Sequence, residues 1–356
     1  EYAEKYIDML SKTSAKVFLT TFVTAVEKTD FGFSISVVSS NGVGKIDTKT
    51  IVLATGCRER TAKQVFIQGT RPSGVFTAGV AQNFVNIMGK LPTKKCVILG
   101  SGDIGLIMAR RLTLEGAEVE GVYEVKPTPS GLTRNIHQCL YDFNIPLHLS
   151  TTVTRVFGED RLTGVEVAEV DERMKVKKGT ERVIECDALI LSVGLIPENE
   201  IAETLGIKIN PCTKGAECDQ SYMTSLDGIF SAGNGLNVFD LVDYVSESAE
   251  SAGANAAIYA SREREYIQIK KEKGILSFIP TQIDLKSNLD KIVLFFRADR
   301  DLDKAKLKLS VDGKVLFEKK FSYLRPPEMQ RLELDLHAAE LNKNSKLSIT
   351  LEDKWN

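Results

Sequence analysis

The sequence has no cysteine pair spaced as Cys-x-x-Cys, although six cysteines are scattered through its 356 residues. This spacing argues against a zinc site or a disulfide framework, so we expect a cytoplasmic protein without a metal centre. No apolar run approaches the ~20 residues that span a bilayer, and the first residues lack the basic and apolar regions of a signal peptide. A formal net charge of -2 gives no reason to expect nucleic acid or an anionic membrane as a partner.

Catalytic side chains are scarce as well. The sequence contains neither a serine hydrolase elbow nor a P-loop lysine, and it has only three histidines. His137 and His148 fall on a predicted helix and a predicted strand. We interpret both as structural or surface residues, because catalysis requires a constellation of groups rather than one side chain. No residue is therefore assigned as catalytic.

Three cysteines need separate interpretation. Cys57 follows an apolar run and a glycine, and we interpret it as a small buried residue rather than a cofactor contact. Cys212 and Cys218 flank a polar loop and leave two alternatives open, a redox dithiol or two unrelated thiols. Redox dithiols favour Cys-x-x-Cys spacing, so the second alternative is favoured.

A glycine-rich segment is the most informative part of the sequence. The apolar run Cys96–Leu99 leads into Gly100, Gly102 and Gly105, and helix-forming residues follow. Such a run predicts a strand buried on both faces, as in a parallel sheet. In a dinucleotide site the first glycine allows a tight turn, the second lets the backbone approach a pyrophosphate, and the third allows close helix packing. The helix N-terminus then attracts the phosphates. A glycine-rich turn in some other α/β unit is the alternative.

An acidic residue completes this pattern. Glu124 follows a second predicted strand, Glu118–Tyr123, about 20 residues after the glycines, where a carboxylate accepts hydrogen bonds from the adenosine ribose. Its charge favours NAD over NADP, whose 2′-phosphate it would repel, and Lys126 offsets part of that charge. We predict that NAD(P)H, with NAD preferred, contacts Gly100, Gly102, Asp103, Ile104, Gly105, Glu124 and Gly194.

The remaining patterns predict an α/β region followed by a small all-β, sandwich-like domain. A helix is expected over the first twelve residues, and Asn41-Gly42 predicts a hairpin turn. Further helices are predicted at Val80–Met88, from a Ser130 cap to Phe143, and within residues 236–262. Strands are predicted at Lys16–Thr20, Phe22–Lys28, Phe31–Ser39, Ile275–Ile279, Lys291–Phe296, Lys306–Ser310, Lys314–Phe321, Arg331–Leu336 and Lys346–Leu351.

Segments on both sides of the glycine pattern are similar to those of one known family. Ile51–Arg60 contains Ala-Thr-Gly, Thr224–Asn234 ends in Ala-Gly-Asn, and Ser192–Asn199 contains Val-Gly-Leu-Ile-Pro-Glu-Asn. Together they resemble the FAD- and NAD(P)-dependent pyridine nucleotide-disulfide oxidoreductase superfamily. Arg71–Gly79 and Leu99–Leu106 resemble its variants without a redox disulfide, the nucleotide-binding subunits of amino-acid, opine and glycerol-3-phosphate dehydrogenase systems.

The resemblance also implies a flavin site. In the family, the Ala-Thr-Gly segment runs past FAD, and an acidic residue after Ala-Gly contacts the cofactor. This chain has Asn234 there, which hydrogen-bonds but adds no charge. The family's last helix of this region points its N-terminus at the flavin, with a plain packing helix as the alternative. The implied FAD contacts are Thr55, Gly56, Gly233, Asn234, Leu241 and Val242.

The resemblance covers about residues 1–262 and implies two Rossmann-like dinucleotide-binding domains. The expected divisions are 1–92 and 193–265 for an FAD domain that lacks its first βαβ unit, 93–192 for the NAD domain, and 272–356 for the β domain. The chain does not begin with Met, so we expect an upstream segment and weak FAD binding without it. The implied function is an oxidoreductase that passes hydride or electrons between NAD(P)H and FAD and on to an acceptor or partner subunit. The expected partner is a dehydrogenase subunit, or a second copy in a homo-oligomer. The alternative is a non-catalytic nucleotide-binding scaffold subunit.

Overall fold

The structure is a computed structural model and describes residues 2–353. Its α-helices are α1 (Tyr2–Ser11), α2 (Ala78–Gln82), α3 (Asp103–Leu114), α4 (Thr133–Cys139), α5 (Glu200–Thr204) and α6 (Val242–Ala257). None of these helices combines the length and apolar content needed to cross a bilayer. The strands are β1 (Phe22–Thr29), β2 (Gly32–Ser39), β3 (Gly42–Thr48), β4 (Ile51–Leu53), β5 (Cys57–Glu59), β6 (Gln68–Gly69), β7 (Val75–Thr77), β8 (Lys95–Leu99), β9 (Glu118–Tyr123), β10 (Leu147–His148), β11 (Thr151–Gly158), β12 (Leu162–Glu169), β13 (Arg182–Glu185), β14 (Ala188–Leu191), β15 (Leu195–Pro197), β16 (Ile229–Ser231), β17 (Tyr266–Lys271), β18 (Ile275–Ile279), β19 (Gln282–Asp284), β20 (Ile292–Ala298), β21 (Leu302–Val311), β22 (Lys314–Leu324), β23 (Gln330–Leu334) and β24 (Leu347–Asp353).

The N-terminal part is a helix followed by an antiparallel three-stranded sheet, β1-β2-β3. The predicted hairpin is confirmed, because Ser39 and Gly42 are paired across the turn that contains Asn41. The strand predicted at Lys16–Thr20 is wrong: these residues are irregular. The neighbouring strand β1 pairs only with β2. Among the described residues, Lys16–Thr20 therefore has no strand to pair with. Apolar composition alone does not form a strand.

A five-stranded parallel sheet, in the order β10-β9-β8-β14-β7, contains the glycine-rich segment at the end of its central strand. Cys96 and Ile98 of β8 pack into one apolar core with α3, whereas Val97 and Leu99 pack into a second core with β11 and β12. All four side chains are buried. The predicted strand with two buried faces is therefore confirmed.

A second sheet, β13-β12-β11-β6, covers one face of the parallel sheet. Strands β11 and β12 form the hairpin between Thr151 and Glu169, and Asp160 lies in its turn. Two short strand pairs lie outside these sheets. Strand β4 pairs in parallel with β16, and β5 pairs antiparallel with β15. These pairs join segments that are far apart in the sequence and that both carry predicted cofactor contacts.

The C-terminal part consists of two sheets around one apolar core, β19-β17-β24-β21-β22 and β18-β20-β23. Each of its six predicted strands corresponds to an observed strand. Two more strands were not predicted, β19 because it has only three residues, and β17 because charged residues surround it. Strand β17 precedes the expected boundary at residue 272 and pairs in parallel with β24.

This C-terminal β unit packs directly against α6 and the segment before it. Phe295 of β20 lies edge-on to Phe239, with ring centroids 5.1 Å apart. The Arg297 guanidinium donates to both carboxylate oxygens of Asp240 and to the Val238 carbonyl. Arg331 donates to Glu247 of α6 through two nitrogens, at 2.6 and 2.9 Å. The β unit is therefore fixed to α6, the helix whose N-terminus the resemblance to the family places next to the flavin.

Three predicted helices have different bounds. The segment Val80–Met88 is α2 followed by a π-helical turn at Asn83–Ile87, and the helix within 236–262 is limited to α6. The Ser130 cap is wrong, because α4 begins after Leu132; α4 ends at Cys139, and a 3-10 turn at Tyr141–Phe143 continues to the predicted end at Phe143. The physical reason is that the Ser130 backbone N–H donates to the Ser101 hydroxyl, which fixes Ser130 outside the helix.

A buried carboxyl lies near the junction of α6 and the β unit. Asp219 accepts hydrogen bonds from the backbone N–H groups of Ser221 and Met223, and its other carboxylate oxygen is buried without a hydrogen-bond donor. Burial raises the pKa of the Asp219 carboxyl to about 6, and Asp284 adds to this effect while Arg264 opposes it. Asp219 is therefore protonated in the folded protein at pH values where it is ionised in the unfolded chain.

This raised pKa predicts a specific pH dependence of stability. The stability associated with protonated Asp219 is fully present below about pH 4 and is lost as the pH rises through about 6, a loss of about 3 kcal/mol. Asp219→Asn keeps an oxygen acceptor and removes the titration. We expect the difference in unfolding free energy, variant minus wild type, to rise by that amount between pH 4 and 7 in urea titrations. A difference that does not change with pH would contradict the assignment.

Candidate functional site

The first and third glycines of the predicted dinucleotide loop are required by the backbone. Gly100 follows β8 with φ +97°, and a Cβ there would overlap the carbonyl oxygen of Ser192. A Cβ on Gly105 would lie 2.7 Å from the Gly100 carbonyl oxygen and 2.7 Å from the Ser192 Cβ. The Gly105 N–H donates to the Ser192 hydroxyl at 3.0 Å. Both glycines therefore bring α3 against the residues that follow β14.

The second glycine has a different environment. Gly102 precedes α3 with φ -65°, which any residue can adopt, and its closest neighbour on the Cβ side is the Ser192 hydroxyl at 3.5 Å. A Cβ at Gly102 would therefore make only ordinary van der Waals contacts, with the Ser192 hydroxyl at 3.5 Å and the Ser192 carbonyl oxygen at 3.9 Å, at a helix N-terminus whose N–H groups attract anions. This is the arrangement that a pyrophosphate requires.

Glu124, whose carboxylate is predicted to accept hydrogen bonds from the ribose, is already hydrogen-bonded within the protein. Glu124 is 4% exposed. It accepts hydrogen bonds from the Ser101 N–H at 3.0 Å, from the Ser101 hydroxyl, and from the Lys126 N–H at 3.1 Å. A carboxylate has about four acceptor positions, so about one remains free. Glu124 orders the glycine loop in this structure, and its contact with a ribose stays a prediction.

A segment that sequence reasoning did not connect to this site packs onto the loop. The Asp103 carboxylate accepts hydrogen bonds from the Leu132 N–H at 2.9 Å and from the Asn135 side chain at 2.7 Å. A Cβ on Gly131 would lie 2.6 Å from Leu106 Cδ1. Asp103 therefore joins the start of α3 to the start of α4. The proline- and glycine-containing stretch before α4 gave a turn signal, but no signal for this long-range contact.

Two other predicted NAD residues lie at the edges of the loop. Ile104 is on the first turn of α3 and is 37% exposed. Gly194 follows β14 with φ +100°, and its carbonyl accepts the Arg60 N–H at 3.1 Å. Gly194 thus lies where the chain passes from the parallel sheet to β15.

The residues of the implied flavin site come together from distant segments. The Thr55 hydroxyl donates to the Glu198 carbonyl, and the Gly56 carbonyl accepts the Glu198 N–H at 3.0 Å. Asn234 accepts the Phe239 N–H at 3.1 Å, which orders the loop that leads to α6. The Gly233 N–H donates to the hydroxyl of Ser248 on α6 at 3.0 Å.

Contacts between these segments leave little space. A Cβ on Gly235 would lie 2.7 Å from the Thr55 hydroxyl oxygen and 3.4 Å from the Gly56 nitrogen. Burial raises the pKa of the neighbouring Cys57 thiol, while a hydrogen bond with Asn234 opposes the shift. Cys57 is therefore a protonated thiol at neutral pH rather than a nucleophile.

Within residues 2–353 all six cysteines are free thiols. Cys218 is completely buried and Cys212 is exposed. The Lys271 ammonium lies 3.4 Å from the Cys212 sulfur. A dithiol site needs two thiols that reach each other and a substrate, so these positions favour two unrelated thiols.

A cleft of about 570 Å³ lies between the start of α4, the residue before α6, and the end of β22. It includes Leu241, which is 43% exposed, next to the exposed Val242. Its lining residues are Leu132, Thr133, Arg134, Leu241, Tyr323, Arg325 and Glu328. The glycine loop's neighbouring segment, the implied flavin-side helix and the β unit therefore share one concave surface.

Comparison with known protein families identifies the family to which the chain belongs. The family model described as "Pyridine nucleotide-disulphide oxidoreductase" matches residues 3–256. The chain belongs to the pyridine nucleotide-disulphide oxidoreductase family. Members of this family depend on FAD and use NAD(P)H. The resemblance inferred from the short motifs is confirmed.

Individual relatives of this family are distant. Hydrogen cyanide synthase subunit HcnB of Pseudomonas aeruginosa is 27% identical over 241 residues, which cover 63% of this chain and 50% of that protein. An opine oxidase subunit of Agrobacterium tumefaciens is 25% identical over 245 residues, 64% of this chain and 46% of that protein. The chain thus spans about half the length of the curated relatives it matches. The structure of T. acidophilum thioredoxin reductase matches with a TM-score of 0.58 at 21% identity, over 72% of this chain and 78% of that one. This likeness shows a shared mixed α/β fold.

Proposed function

We propose that the chain is an electron-transfer component of a flavoprotein oxidoreductase, which passes reducing equivalents between NAD(P)H and FAD and on to an acceptor or partner subunit. The observation that carries this proposal is the contrast within the glycine loop. A Cβ at Gly100 or Gly105 would come closer than 3 Å to Ser192, whereas the nearest atom to a Cβ at Gly102, at the start of α3, lies 3.5 Å away. Membership of the family supports the cofactor pair.

In this proposal residues 93–192 bind the nicotinamide dinucleotide. The pyrophosphate lies beside Gly102, and Glu124 uses its remaining acceptor position for a ribose hydroxyl. Bringing a 2′-phosphate beside the Glu124 carboxylate costs electrostatic energy, which favours NAD over NADP. Asp103 holds the segment before α4 in place, and Ile104 and Gly194 border the site.

Residues 1–92 and 193–265 would hold FAD, and the β unit follows from β17 onward. Glu198 holds Thr55 and Gly56, Ser248 of α6 holds Gly233, and Asn234 accepts the Phe239 N–H, which supports a preformed contact surface. A bound flavin supplies the two-electron redox chemistry. Leu241 and Val242 lie at the N-terminus of α6, whose dipole stabilises negative charge, although Asp243 in its first turn reduces this effect.

Partner assembly is a further part of the proposal. Two matched relatives, HcnB and the opine oxidase protein, are named as subunits of larger systems. A partner dehydrogenase chain, or a second copy of this one, would then accept or supply the electrons.

Binding of NADH to Gly102→Ala tests the proposal. The added methyl group has room in the protein but occupies the space beside the helix N-terminus. We expect calorimetric NADH affinity to fall at least about tenfold, while the urea unfolding midpoint changes little. Gly253→Ala is the matched control, because a Cβ there meets nothing within 4 Å, and it should bind NADH as the wild type does. Absence of NADH binding by the wild type, or unchanged binding by Gly102→Ala, would overturn the proposal.

A non-catalytic nucleotide-binding scaffold is the second candidate, and one observation favours it. Three protein donors already occupy the Glu124 carboxylate, as expected if it serves to order the loop. The two candidates differ in flavin chemistry. A scaffold binds NADH without bleaching added FAD in anaerobic spectra, whereas the oxidoreductase reduces it.

A further inference from the structure

Ser101 lies between the first two glycines of the dinucleotide loop and contacts the predicted ribose acceptor. The residue is fully buried. Its hydroxyl donates to the Oε2 atom of Glu124, and its backbone N–H donates to the same oxygen at 3.0 Å. Because one carboxylate oxygen has about two acceptor positions, Ser101 alone fills both positions of Oε2.

The other carboxylate oxygen of Glu124 is used less completely. Oε1 accepts the Lys126 N–H at 3.1 Å. Within residues 2–353 no second protein donor reaches this oxygen, so about one acceptor position remains on it. Glu124 therefore offers a bound ligand about one acceptor position on Oε1 and none on Oε2.

The Ser101 hydroxyl is held in this position from outside the loop. The Ser130 N–H donates to the Ser101 Oγ atom at 2.8 Å, so the hydroxyl accepts one hydrogen bond and directs its own proton to Glu124. A Cβ on Gly131 would lie 2.8 Å from the Ser101 carbonyl oxygen, which shows how closely the two segments pack. The hydroxyl is therefore fixed between one donor and one acceptor.

The segment of residues 125–131, which precedes α4, is itself anchored at both ends. The Ser150 N–H donates to the Lys126 carbonyl at 3.0 Å, and the Leu132 N–H donates to the Asp103 carboxylate at 2.9 Å. The segment also contains two prolines, whose φ angles are fixed by their rings. A restrained segment therefore keeps the serine hydroxyl of the loop against its carboxylate.

The adenosine ribose of a nicotinamide dinucleotide carries two neighbouring hydroxyl groups. In dinucleotide sites the acidic residue accepts from the ribose, and one carboxylate can accept one hydroxyl on each of its oxygens. In this chain the second hydroxyl would meet Oε2, whose positions Ser101 already occupies. Binding both hydroxyls thus requires the loss of a charge-assisted hydrogen bond within the protein.

We propose that the Ser101 hydroxyl competes with the adenosine ribose for Glu124 and thereby lowers the affinity of this site for the dinucleotide. Ser101 takes the place of one ribose hydroxyl, and Ser130 keeps it there. The inference rests on the proposed function, because it concerns the same dinucleotide site. Ser101 is thus a determinant of cofactor affinity that acts through Glu124.

Three nucleotides that differ only in their ribose hydroxyls test this competition: ADP, 2′-deoxy-ADP and 3′-deoxy-ADP. In the wild type about one hydroxyl finds an acceptor position, so removal of either should change the Kd less than about threefold. In Ser101→Ala both hydroxyls find positions. ADP should then bind about five- to twentyfold more tightly than to the wild type, and each deoxy analogue should lose most of that gain. Calorimetry or ligand-observed NMR measures these ratios.

A second variant keeps the shape of the side chain. Ser101→Cys has nearly the volume of serine but only a weak donor, so its ratios should change in the same direction by a smaller factor. It carries the test if the urea unfolding midpoint shows that Ser101→Ala is destabilised. Ser277→Ala is the matched control, because it removes the hydroxyl of a buried serine in β18 of the β unit. It should bind all three nucleotides as the wild type does.

The competition is overturned if Ser101→Ala changes the affinity for all three nucleotides by one common factor, since Ser101 then only orders the loop. It is also overturned if ADP alone binds more weakly, because the Ser101 hydroxyl would then contact the ribose directly. NADH titration of the same samples separates the two proposals. NADH binding with unchanged nucleotide ratios refutes only the competition. Absence of NADH binding by the wild type refutes the proposed function and the competition with it.

Discussion

Gly100→Ala is expected to lower the free energy of unfolding by about 3–5 kcal/mol. Two costs add at this position. Its φ of +97° is one that residues with a Cβ rarely adopt, and the new methyl group overlaps the Ser192 carbonyl, with the carbonyl carbon only 2.6 Å away. Because the overlap is with backbone, no side-chain rotation relieves it. Urea denaturation followed by circular dichroism measures the loss.

Gly116→Ala separates the two costs. Gly116 has φ +94°, almost the same value, but nothing lies within 4 Å of a Cβ built there. We expect this variant to lose only about 1–2 kcal/mol, the cost of the backbone conformation alone. Equal losses for the two variants would mean that Ser192 does not lie against the glycine loop, and the dinucleotide site would have to be redrawn.

Arg297→Met is the second substitution with a large expected effect, a loss of about 3–5 kcal/mol. Methionine fills most of the space of the arginine stem but leaves the half-buried Asp240 carboxylate with the Met329 N–H as its remaining protein donor. An uncompensated charge in that position is costly. The β unit and α6 should separate at lower urea concentration, and far-UV circular dichroism is suitable for following the transition.

The double variant Arg297→Met with Asp240→Asn tests the cause. Removing both charges should recover part of the loss, because the cost comes from the unpaired carboxylate rather than from the missing pair. Arg300→Met is the control within the β unit, since its pair with Asp353 is exposed, and its unfolding midpoint should match the wild type. A double variant as unstable as Arg297→Met would contradict this explanation.

The parts of the fold that were predictable from sequence are those set by local patterns. The apolar run before Gly100 and the Asn41-Gly42 turn are confirmed, because periodicity and turn chemistry act within a few residues. The strand at Lys16–Thr20 is wrong because strand formation requires a partner. Strand β17 was missed because the charged residues around it hide its short apolar pattern.

In the candidate site, too, local sequence patterns predicted some features, and packing between distant segments determined the others. The glycine spacing located the loop, and Glu124 was placed beside it as predicted. Sequence reasoning could not show that Ser101 occupies this carboxylate, or that Asp103 binds the segment before α4. It also gave no sign that Arg134, Leu241 and Glu328 line one cleft, because their convergence depends on three-dimensional packing.

The parallel pairing of β17 with β24 has a consequence for how the β unit forms during synthesis. Ile269 pairs with Leu347, so the first strand of the unit must wait for its last one to leave the ribosome. Such non-local pairing gives high contact order and slow folding. Until that point the edge of β17 that pairs with β24 is exposed, and an exposed edge can pair with a chaperone or a neighbouring nascent chain.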